Sequence, residues 1–272
     1  MENKKLIVID LDGTSLHDHV ELHPETKAAL MAAKAAGHTI VIATGRPARA
    51  SIKFYQELEL DTPSINFNGS YIHHPTDKNF EEIIAQIPIE IINDIFNSEI
   101  SAYIENATCE YKDNTYVIKE DELLGNWFHL KNCDSVKFGP FKDILDQQPS
   151  GFILIVKPGF EQKVMNYLRV NHSDTVTCRQ WGDEYTHVIE VFKHDSNKGT
   201  ALAKVAKHLN FEPEDIIVFG DGDNDIEMFQ FAGTSIAMEN ALDQLKAVST
   251  GATKLNTEGG VAHYLYENLL NI

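Results

Sequence analysis

The stretch Leu6-Ile7-Val8-Ile9-Asp10-Leu11-Asp12-Gly13-Thr14 decides the fold, because an uninterrupted apolar run ends there at two carboxylates. The apolar run is typical of a strand that is buried on both faces of a parallel sheet. Ligands of open α/β sheets bind beyond the carboxyl ends of the strands, so Asp10 and Asp12 would stand at a ligand-binding edge. Two like charges this close are costly unless a cation holds them or one of them stays protonated. The pair is a candidate functional site, although an Asp-Gly turn that caps a helix would look the same.

The composition excludes some classes of partner. The 272 residues include 23 basic and 41 acidic side chains, so the formal net charge is −18. Such a surface repels phosphate backbones, which argues against nucleic acid, and a small anionic substrate would need local cations or a metal. The three cysteines, Cys109, Cys133 and Cys178, are widely spaced without a CxxC pair, which argues against a disulfide framework or a zinc site.

The sequence shows neither a targeting segment nor a membrane span. The apolar run that follows Lys4 and Lys5 is too short for the core of a signal peptide. No stretch approaches the roughly 20 apolar residues that a membrane span requires. We therefore expect a cytoplasmic protein with no membrane partner, and the sequence leaves its oligomeric state open.

The first elements predict a doubly wound α/β sheet. Good helix formers fill 26–36, and 38–43 reads as a second buried strand, so the chain begins as a βαβ unit. Two further strands, 64–67 and 71–73, flank Asn68-Gly69, which is typical of a hairpin turn.

The middle of the chain has a different pattern. From about residue 80 to residue 184, strands and helices no longer alternate one for one, and hairpin-linked strands there predict an inserted α+β module. Regular alternation returns with a helix over 198–209 and a buried strand over 215–219. The chain therefore reads as an α/β frame that an insertion interrupts.

Three polar clusters follow predicted strands, and a fourth lies at the start of a predicted helix. They are Asp10 with Asp12, Thr44, Lys198, and Asp221 with Asp225. Magnesium prefers a few carboxylates together with water and the phosphate oxygens of a substrate. A hydroxyl and an ammonium are the groups that a phosphoryl group would need. The clusters complement one another, which favours phosphoryl chemistry over four unrelated turns.

These clusters resemble, in order, the four motifs of the haloacid dehalogenase superfamily. The motifs are Asp10-Leu11-Asp12-Gly13-Thr14, Ala43-Thr44-Gly45-Arg46, Ser196-Asn197-Lys198-Gly199, and Gly220-Asp221-Gly222-Asp223-Asn224-Asp225. The long gap between the second and third motifs, and Phe67-Asn68-Gly69-Ser70, resemble the Cof-type branch, whose cap is inserted in that gap. The resemblance implies a mostly parallel, Rossmann-like core over 1–82 and 187–272 and an α+β cap over 83–186.

The resemblance also implies a role for each motif residue. Asp10 would attack phosphorus to form an aspartyl-phosphate. Asp12 would protonate the leaving oxygen and then activate water, which requires it to carry a proton when the substrate arrives. The implied Mg²⁺ ligands are Asp10, the backbone carbonyl of Asp12, Asp221 and Asp225, the last directly or through water. The implied phosphate and substrate contacts are Thr44, Gly45, Arg46, Lys198 and Asn224.

Some of these residues, taken alone, also have an ordinary structural explanation. Lys198 alone would be a solvated helix residue, and Thr44 alone would be a helix N-cap. Arg46 could reach a substrate or could pair with an acid of the core.

The motifs and the resemblance together predict a Mg²⁺-dependent phosphoric monoester hydrolase. The resemblance to the Cof-type branch implies small phosphomonoesters as substrates, either sugar phosphates or phosphorylated cofactors such as pyridoxal phosphate or flavin mononucleotide. The alternatives are a sugar phosphomutase or phosphotransferase with the same nucleophile, and a non-catalytic sensor of a phosphorylated ligand.

Overall fold

The computed structural model describes residues 4–182 and 185–270. The strands, in chain order, are β1 (Leu6–Ile9), β2 (Thr39–Ile42), β3 (Ser64–Asn66), β4 (Tyr71–His73), β5 (Ile83–Ile84), β6 (Ile104–Tyr111), β7 (Asn114–Val117), β8 (Ser135–Phe138), β9 (Gly151–Val156), β10 (Val176–Gln180), β11 (Val188–Lys193), β12 (Ile216–Gly220), β13 (Thr234–Ala237) and β14 (Gly251–Ala252). The α-helices are α1 (Pro24–Ala35), α2 (Ala48–Glu57), α3 (Ile89–Asn97), α4 (Glu122–Trp127), α5 (Phe141–Ile144), α6 (Glu161–His172), α7 (Lys198–Leu209), α8 (Ile226–Phe231), α9 (Asp243–Lys246) and α10 (Gly260–Leu265).

These elements fall into two units. The first consists of Met1–Arg46, Ser51–Ile83 and Asn197–Ile272, and the second consists of Pro47–Ala50 and Ile84–Ser196. Among the described residues, no helix is both long and apolar enough to cross a membrane.

The first unit is built on a parallel sheet with the strand order β14-β13-β12-β1-β2. β1 is an interior strand, and it pairs in parallel with β12 on one side and with β2 on the other. All of its side chains, from Leu6 to Ile9, are fully buried. Each such side chain contributes about 1.5–3 kcal/mol of hydrophobic stabilisation. The predicted α/β fold with a mostly parallel sheet is confirmed.

The carboxyl ends of the parallel strands bring separate parts of the sequence to one edge. β1 ends before Asp10, β2 before Ala43 and Thr44, and β12 before Asp221. The β3–β4 hairpin follows, with antiparallel pairing from Ser64 opposite His73 to Asn66 opposite Tyr71. The predicted hairpin at Asn68-Gly69 is therefore present, and its turn lies directly after β3.

The second unit contains a mixed sheet with the strand order β10-β11-β9-β6-β7-β8. Its pairs are antiparallel except for β7 with β8. One apolar cluster includes Phe152 and Leu154 of β9 with Ile92 of α3, and a smaller one includes Phe128 and Val188. This is an α+β arrangement of the kind that the sequence predicted for the insertion.

The chain re-enters the first unit at Asn197. The sequence predicted that the core would resume earlier, at residue 187. The reason is the pairing of β11, which lies between β9 and β10 in the sheet of the second unit. Its apolar pattern is that of any buried strand, so the sequence could not assign it to a sheet.

Candidate active site

Asp10 lies directly after β1, where the backbone leaves the sheet. Its backbone N–H donates to the carbonyl of Phe219 at 3.1 Å, and Ser15 Oγ donates to the carbonyl of Asp10 at 2.7 Å. The side chain is almost completely buried, with 5% of the residue exposed. Gly13 turns the chain at φ +68°, and a Cβ there would lie 2.1 Å from Asp221 Oδ2. The Asp-Gly pair therefore forms a turn and also brings two acidic loops together.

Lys198 lies between two carboxylates in the interior. Its Nζ donates to Asp10 Oδ1 and to Asp225 Oδ1, both at 2.6 Å, and the side chain is fully buried. Lys198 is the first residue of α7, whose start is fixed by a capping box between Asn197 and Thr200. Burial opposes the charge, but the two carboxylates outweigh it and hold the pKa of Lys198 above its ordinary value. The solvated reading of Lys198 is therefore wrong, and the residue is a buried cation.

The carboxylates outnumber this cation. Burial raises the pKa of Asp10 well above its ordinary value, and the charges of Asp225 and Asp221 add to the effect against the attraction of Lys198. Burial and the charge of Asp225 likewise raise the pKa of Asp221 to about 7, although Thr14 Oγ1 donates to its Oδ1 at 2.9 Å. The cluster would become easier to ionise if a further positive charge lay among these groups.

Asp10, Asp221 and Asp225 each place a carboxylate oxygen within 4.8 Å of the others. Hard oxygen donors of this kind suit Mg²⁺, which usually takes one or two carboxylates and keeps several waters. Asp225 also has a structural task, because its Oδ2 accepts from the backbone N–H groups of Asp221 and Gly222, both at 3.0 Å. The donor set therefore fits a small divalent cation, with Asp225 also shaping the loop.

Asp12 forms hydrogen bonds with a different set of side chains from those that contact Asp10, Asp221 and Asp225. Its carboxylate accepts from Arg46 Nε at 2.7 Å and Arg46 Nη2 at 2.5 Å, and its Oδ1 lies 3.0 Å from Nδ1 of His19. Burial alone would raise the pKa of Asp12, but the hydrogen bonds and charge of Arg46, with those of His19, hold it below its ordinary value. The sequence left open whether Arg46 reaches a substrate or pairs with an acid. In this structure it pairs with an acid, Asp12.

The second motif forms a turn at the same edge. Thr44 is fully buried, and its Oγ1 accepts from the backbone N–H of Arg46 at 3.1 Å. Next to it, Gly45 packs against the side-chain amide of Asn68, whose Oδ1 accepts from Asn224 Nδ2 at 2.9 Å. The predicted phosphate contacts Thr44, Gly45 and Asn224 are thus joined through a residue to which the sequence assigned no role.

Four residues at this edge were not among the predicted site residues. They are Thr14, His19, Asn68 and Asn240. Thr14 and Asn68 stood inside quoted motifs, so a signal existed for them. His19 lies in a polar loop, and Asn240 donates from its Nδ2 to the carbonyl of Gly13 at 2.7 Å. Nothing in the spacing of these last two distinguishes them from surface residues.

Comparison with known proteins gives a consistent group of relatives. A family model described as haloacid dehalogenase-like hydrolase matches residues 7–265. The chain is 35% identical over 268 residues to the 5-amino-6-(5-phospho-D-ribitylamino)uracil phosphatase YitU of Bacillus subtilis (strain 168), with 98% of each chain covered. It is 26% identical over 276 residues to the pyridoxal phosphate phosphatase YbhA of Escherichia coli (strain K12), covering 98% of this chain and 99% of that protein.

A solved structure shares the fold over nearly the same length. It is a haloacid dehalogenase-like hydrolase from Bacteroides thetaiotaomicron, with a TM-score of 0.85, 21% identity, and coverage of 97% of this chain and 99% of that one. The likeness therefore extends over both units of the chain.

Proposed function

Because this chain belongs to the haloacid dehalogenase-like hydrolase family, we propose that it is a Mg²⁺-dependent phosphatase of small phosphomonoesters. One observation carries the proposal: Asp10 lies buried beside a buried lysine and within reach of Asp221 and Asp225. A carboxylate held in this way can act as a nucleophile toward phosphorus, because its repulsion from the substrate is offset by cations.

The reaction begins at Asp10. Lys198 holds Oδ1 of Asp10 at 2.6 Å, so the other carboxylate oxygen attacks the phosphorus and the bond to the leaving oxygen breaks. The product is an aspartyl-phosphate, and water then attacks its phosphorus to release phosphate and restore the carboxylate. Lys198 stays charged throughout and orients the nucleophile.

Asp12 acts on the protons of both steps. It gives a proton to the leaving oxygen and later accepts one from the attacking water. In the structure Arg46 binds both of its carboxylate oxygens, which favours the ionised form. Asp12 can therefore carry a proton only when Arg46 has left it, and a phosphoryl group is the anion to which Arg46 would move.

Asp10, Asp221, Asp225 and the backbone carbonyl of Asp12 are the proposed ligands of Mg²⁺. The ion, when bound, supplies positive charge that offsets the repulsion between Asp10 and the phosphoryl oxygens. Thr44, the backbone of Gly45 and Asn224 hold the remaining phosphate oxygens. The second unit is the proposed cap, which selects the organic part of the substrate.

The relatives narrow the choice of substrate. YitU, which is 35% identical, is named for a phosphorylated ribitylaminouracil, and YbhA, which is 26% identical, is named for pyridoxal phosphate. Both compounds carry a phosphomonoester on a short arm attached to a heterocycle. We propose a substrate of this class, with 5-amino-6-(5-phospho-D-ribitylamino)uracil as the first compound to test.

The test is phosphate release from a panel that contains this compound, pyridoxal phosphate, flavin mononucleotide and several sugar phosphates. Wild-type protein should release phosphate only with Mg²⁺, and Asp10→Asn should reduce the rate by about 10³-fold or more. Asp243→Asn, an exposed carboxylate of α9, is the matched control and should keep the wild-type rate.

The alternatives have distinct outcomes in the same assay. A phosphotransferase releases little free phosphate, and an added acceptor sugar becomes phosphorylated instead. A sensor binds a member of the panel without turnover. Full activity in Asp10→Asn would show that another residue is the nucleophile.

A further inference from the structure

The turn at Phe67–Gly69, which we name the Asn68 turn, has an unusual backbone. Three successive residues adopt positive φ angles: +47° at Phe67, +51° at Asn68 and +101° at Gly69. Left-handed backbone is common for glycine and tolerated by asparagine, but it is rare for a bulky residue such as phenylalanine. Conformations of this kind persist only where the surroundings over-determine them, and they concentrate at functional sites.

The Asn68 turn packs against the second motif, Ala43-Thr44-Gly45-Arg46. The backbone N–H of Phe67 donates to the carbonyl of Arg46 at 3.2 Å, and that of Asn68 donates to the carbonyl of Thr44 at 3.1 Å. Asn66 Nδ2 donates to the same Arg46 carbonyl at 2.9 Å. The turn is therefore anchored on both sides of Gly45.

The side chain of Asn68 contacts two of the proposed phosphate-binding positions. A Cβ on Gly45 would lie 3.1 Å from Asn68 Oδ1 and 3.2 Å from its Nδ2, so the amide lies against the Gly45 backbone. The same Oδ1 accepts from Asn224 Nδ2 at 2.9 Å. Asn68 is 8% exposed, so it is almost completely buried.

The following residue contacts a third part of the site. A Cβ on Gly69 would lie 2.2 Å from the carbonyl oxygen of Asn197 and 3.1 Å from the backbone nitrogen of Lys198. The Asn68 turn thus packs against the second motif, the start of α7 and the loop after β12. These segments are far apart in sequence and carry the proposed phosphate contacts.

We propose that Asn68 is a positioning residue, which holds the Gly45 backbone and the Asn224 amide at the separation that a phosphoryl group requires. The proposal rests on the phosphatase function given above. Asn68 orients one N–H of Asn224 and braces Gly45, so it acts on the phosphate through these two groups. Its loss should weaken the binding of phosphoryl groups and slow their transfer, while the binding of Mg²⁺ persists.

The test uses Asn68→Gly, because glycine accepts the left-handed backbone and only the side chain is lost. We expect kcat to fall by about 10²-fold, the scale of a misplaced binding group, and the Kd of inorganic phosphate in Mg²⁺ to rise about tenfold. The rise in Tm on adding Mg²⁺ should equal that of wild type. Asn210→Gly is the matched control, because Asn210 is also left-handed, with φ +61°, but ends α7.

A double-mutant cycle separates positioning from a general loosening of the fold. Asn224→Ala removes the same hydrogen bond from the other side, and Asn68→Gly combined with Asn224→Ala should be no slower than the slower single variant. If Asn68→Gly does not fold, Asn68→Ser carries the test through the same phosphate titration, because its shorter side chain loses the contact that Asn68 Oδ1 makes with Asn224 Nδ2.

The proposal is overturned if Asn68→Gly keeps kcat and phosphate affinity within twofold of wild type, or if the two single effects multiply. Failure of the proposed function looks different. Wild-type protein that binds phosphate without turnover refutes the phosphatase, while the titration of Asn68→Gly still tests positioning. Wild-type protein that binds no phosphate overturns both.

Discussion

At the scale of single residues, the ammonium of Lys198 is the group on which the site depends most. It is fully buried and holds Asp10 and Asp225 on either side. Removing one partner of a buried ion cluster leaves uncompensated charge in the interior. Lys198→Met should therefore lower the free energy of unfolding by about 3–5 kcal/mol, measured by urea denaturation without divalent cations.

The control for this substitution lies on the same helix. Lys204 is exposed on α7, and Lys204→Met should change the free energy of unfolding by less than about 0.5 kcal/mol. If Lys198→Met were as stable as Lys204→Met, the carboxylates beside Lys198 would have to be protonated already.

The sequence could predict which site residues lie directly after a strand. It could not predict the partners of residues whose position depends on loop conformation. Asp10, Thr44 and Asp221 follow apolar runs, and parallel strands bring their carboxyl ends to one edge. The pairing of Arg46 with Asp12 depends on the path of two loops, so the sequence left two readings of Arg46 open. The contact between His19 and Asp12 also depends on the path of a loop, and no sequence pattern marked His19 as a site residue.

At the scale of elements, Arg49, the second residue of α2, is bound inside the second unit. The guanidinium of Arg49 pairs with the buried carboxylate of Glu110, and its Nε donates to the carbonyl of Phe128 at 3.0 Å. Burial raises the pKa of Glu110 although Arg49 opposes the shift, so the desolvation of this pair is costly.

This pair can be tested by removing one or both charges. Arg49→Met should destabilise the protein by about 3–5 kcal/mol, because Glu110 is then buried without its cation. Arg49→Met combined with Glu110→Leu should recover much of that loss, because both desolvated charges are gone. Calorimetry of the full chain provides the measurement, and a double variant as unstable as the sum of the single changes would contradict this account.

Helices α3 and α6 are joined by a hydrogen-bonded carboxylate. Asp94 Oδ2 accepts from the hydroxyl of Tyr167 at 2.6 Å and lies 2.9 Å from Nε2 of His172. The Tyr167 hydrogen bond, followed by that of His172, lowers the pKa of Asp94 from its ordinary value of 3.8.

A carboxyl group with a lowered pKa in the folded state stabilises the fold in its ionised form. Its contribution is fully present above pH 3.8, the unfolded value, and is lost as the pH falls through the lowered folded value. The stability difference between wild type and Asp94→Asn, from urea denaturation, should therefore shrink as the pH falls below about 4. Asp174→Asn, which removes an exposed carboxylate just after α6, is the control for the loss of one surface charge.

Elements with a long periodic pattern were predictable, and short ones were not. α7 spans Lys198–Leu209, as the sequence predicted, because its apolar face repeats over three turns and Asn197 caps it. The short elements α4, β8 and α5 contain too few residues for a periodicity to emerge, and the sequence did not predict them. The place of β11 depended on its partners β9 and β10, which lie earlier in the chain.

At the scale of the whole molecule, the stability of the protein should depend on divalent cations. A cation that binds only the folded state stabilises it by about 2.7 kcal/mol at a concentration of 100 times its Kd. Wild-type protein should therefore show a Tm that rises with Mg²⁺ and falls again with EDTA. Asp221→Asn should show a much smaller rise, because it removes one of three clustered carboxylates.

Asp243→Asn is again the matched control and should respond to Mg²⁺ as wild type does. A Tm that does not change with Mg²⁺ would mean that the acidic cluster holds no cation at the concentrations tested. The experiment needs no substrate, so it tests the metal separately from the reaction.

The position of β1 between β2 and β12 has a consequence for the synthesis of the chain. β1 pairs with β2 soon after both are made, but its other neighbour, β12, lies roughly 200 residues later. At about 5–20 residues per second, the ribosome needs roughly 10–40 s to cover that distance. During this interval the Leu6–Ile9 edge is open, and unpaired apolar edges are templates for aggregation. Slow translation of the inserted unit would prolong the interval, so the yield of native protein should depend on elongation rate and on chaperones that shield nascent chains.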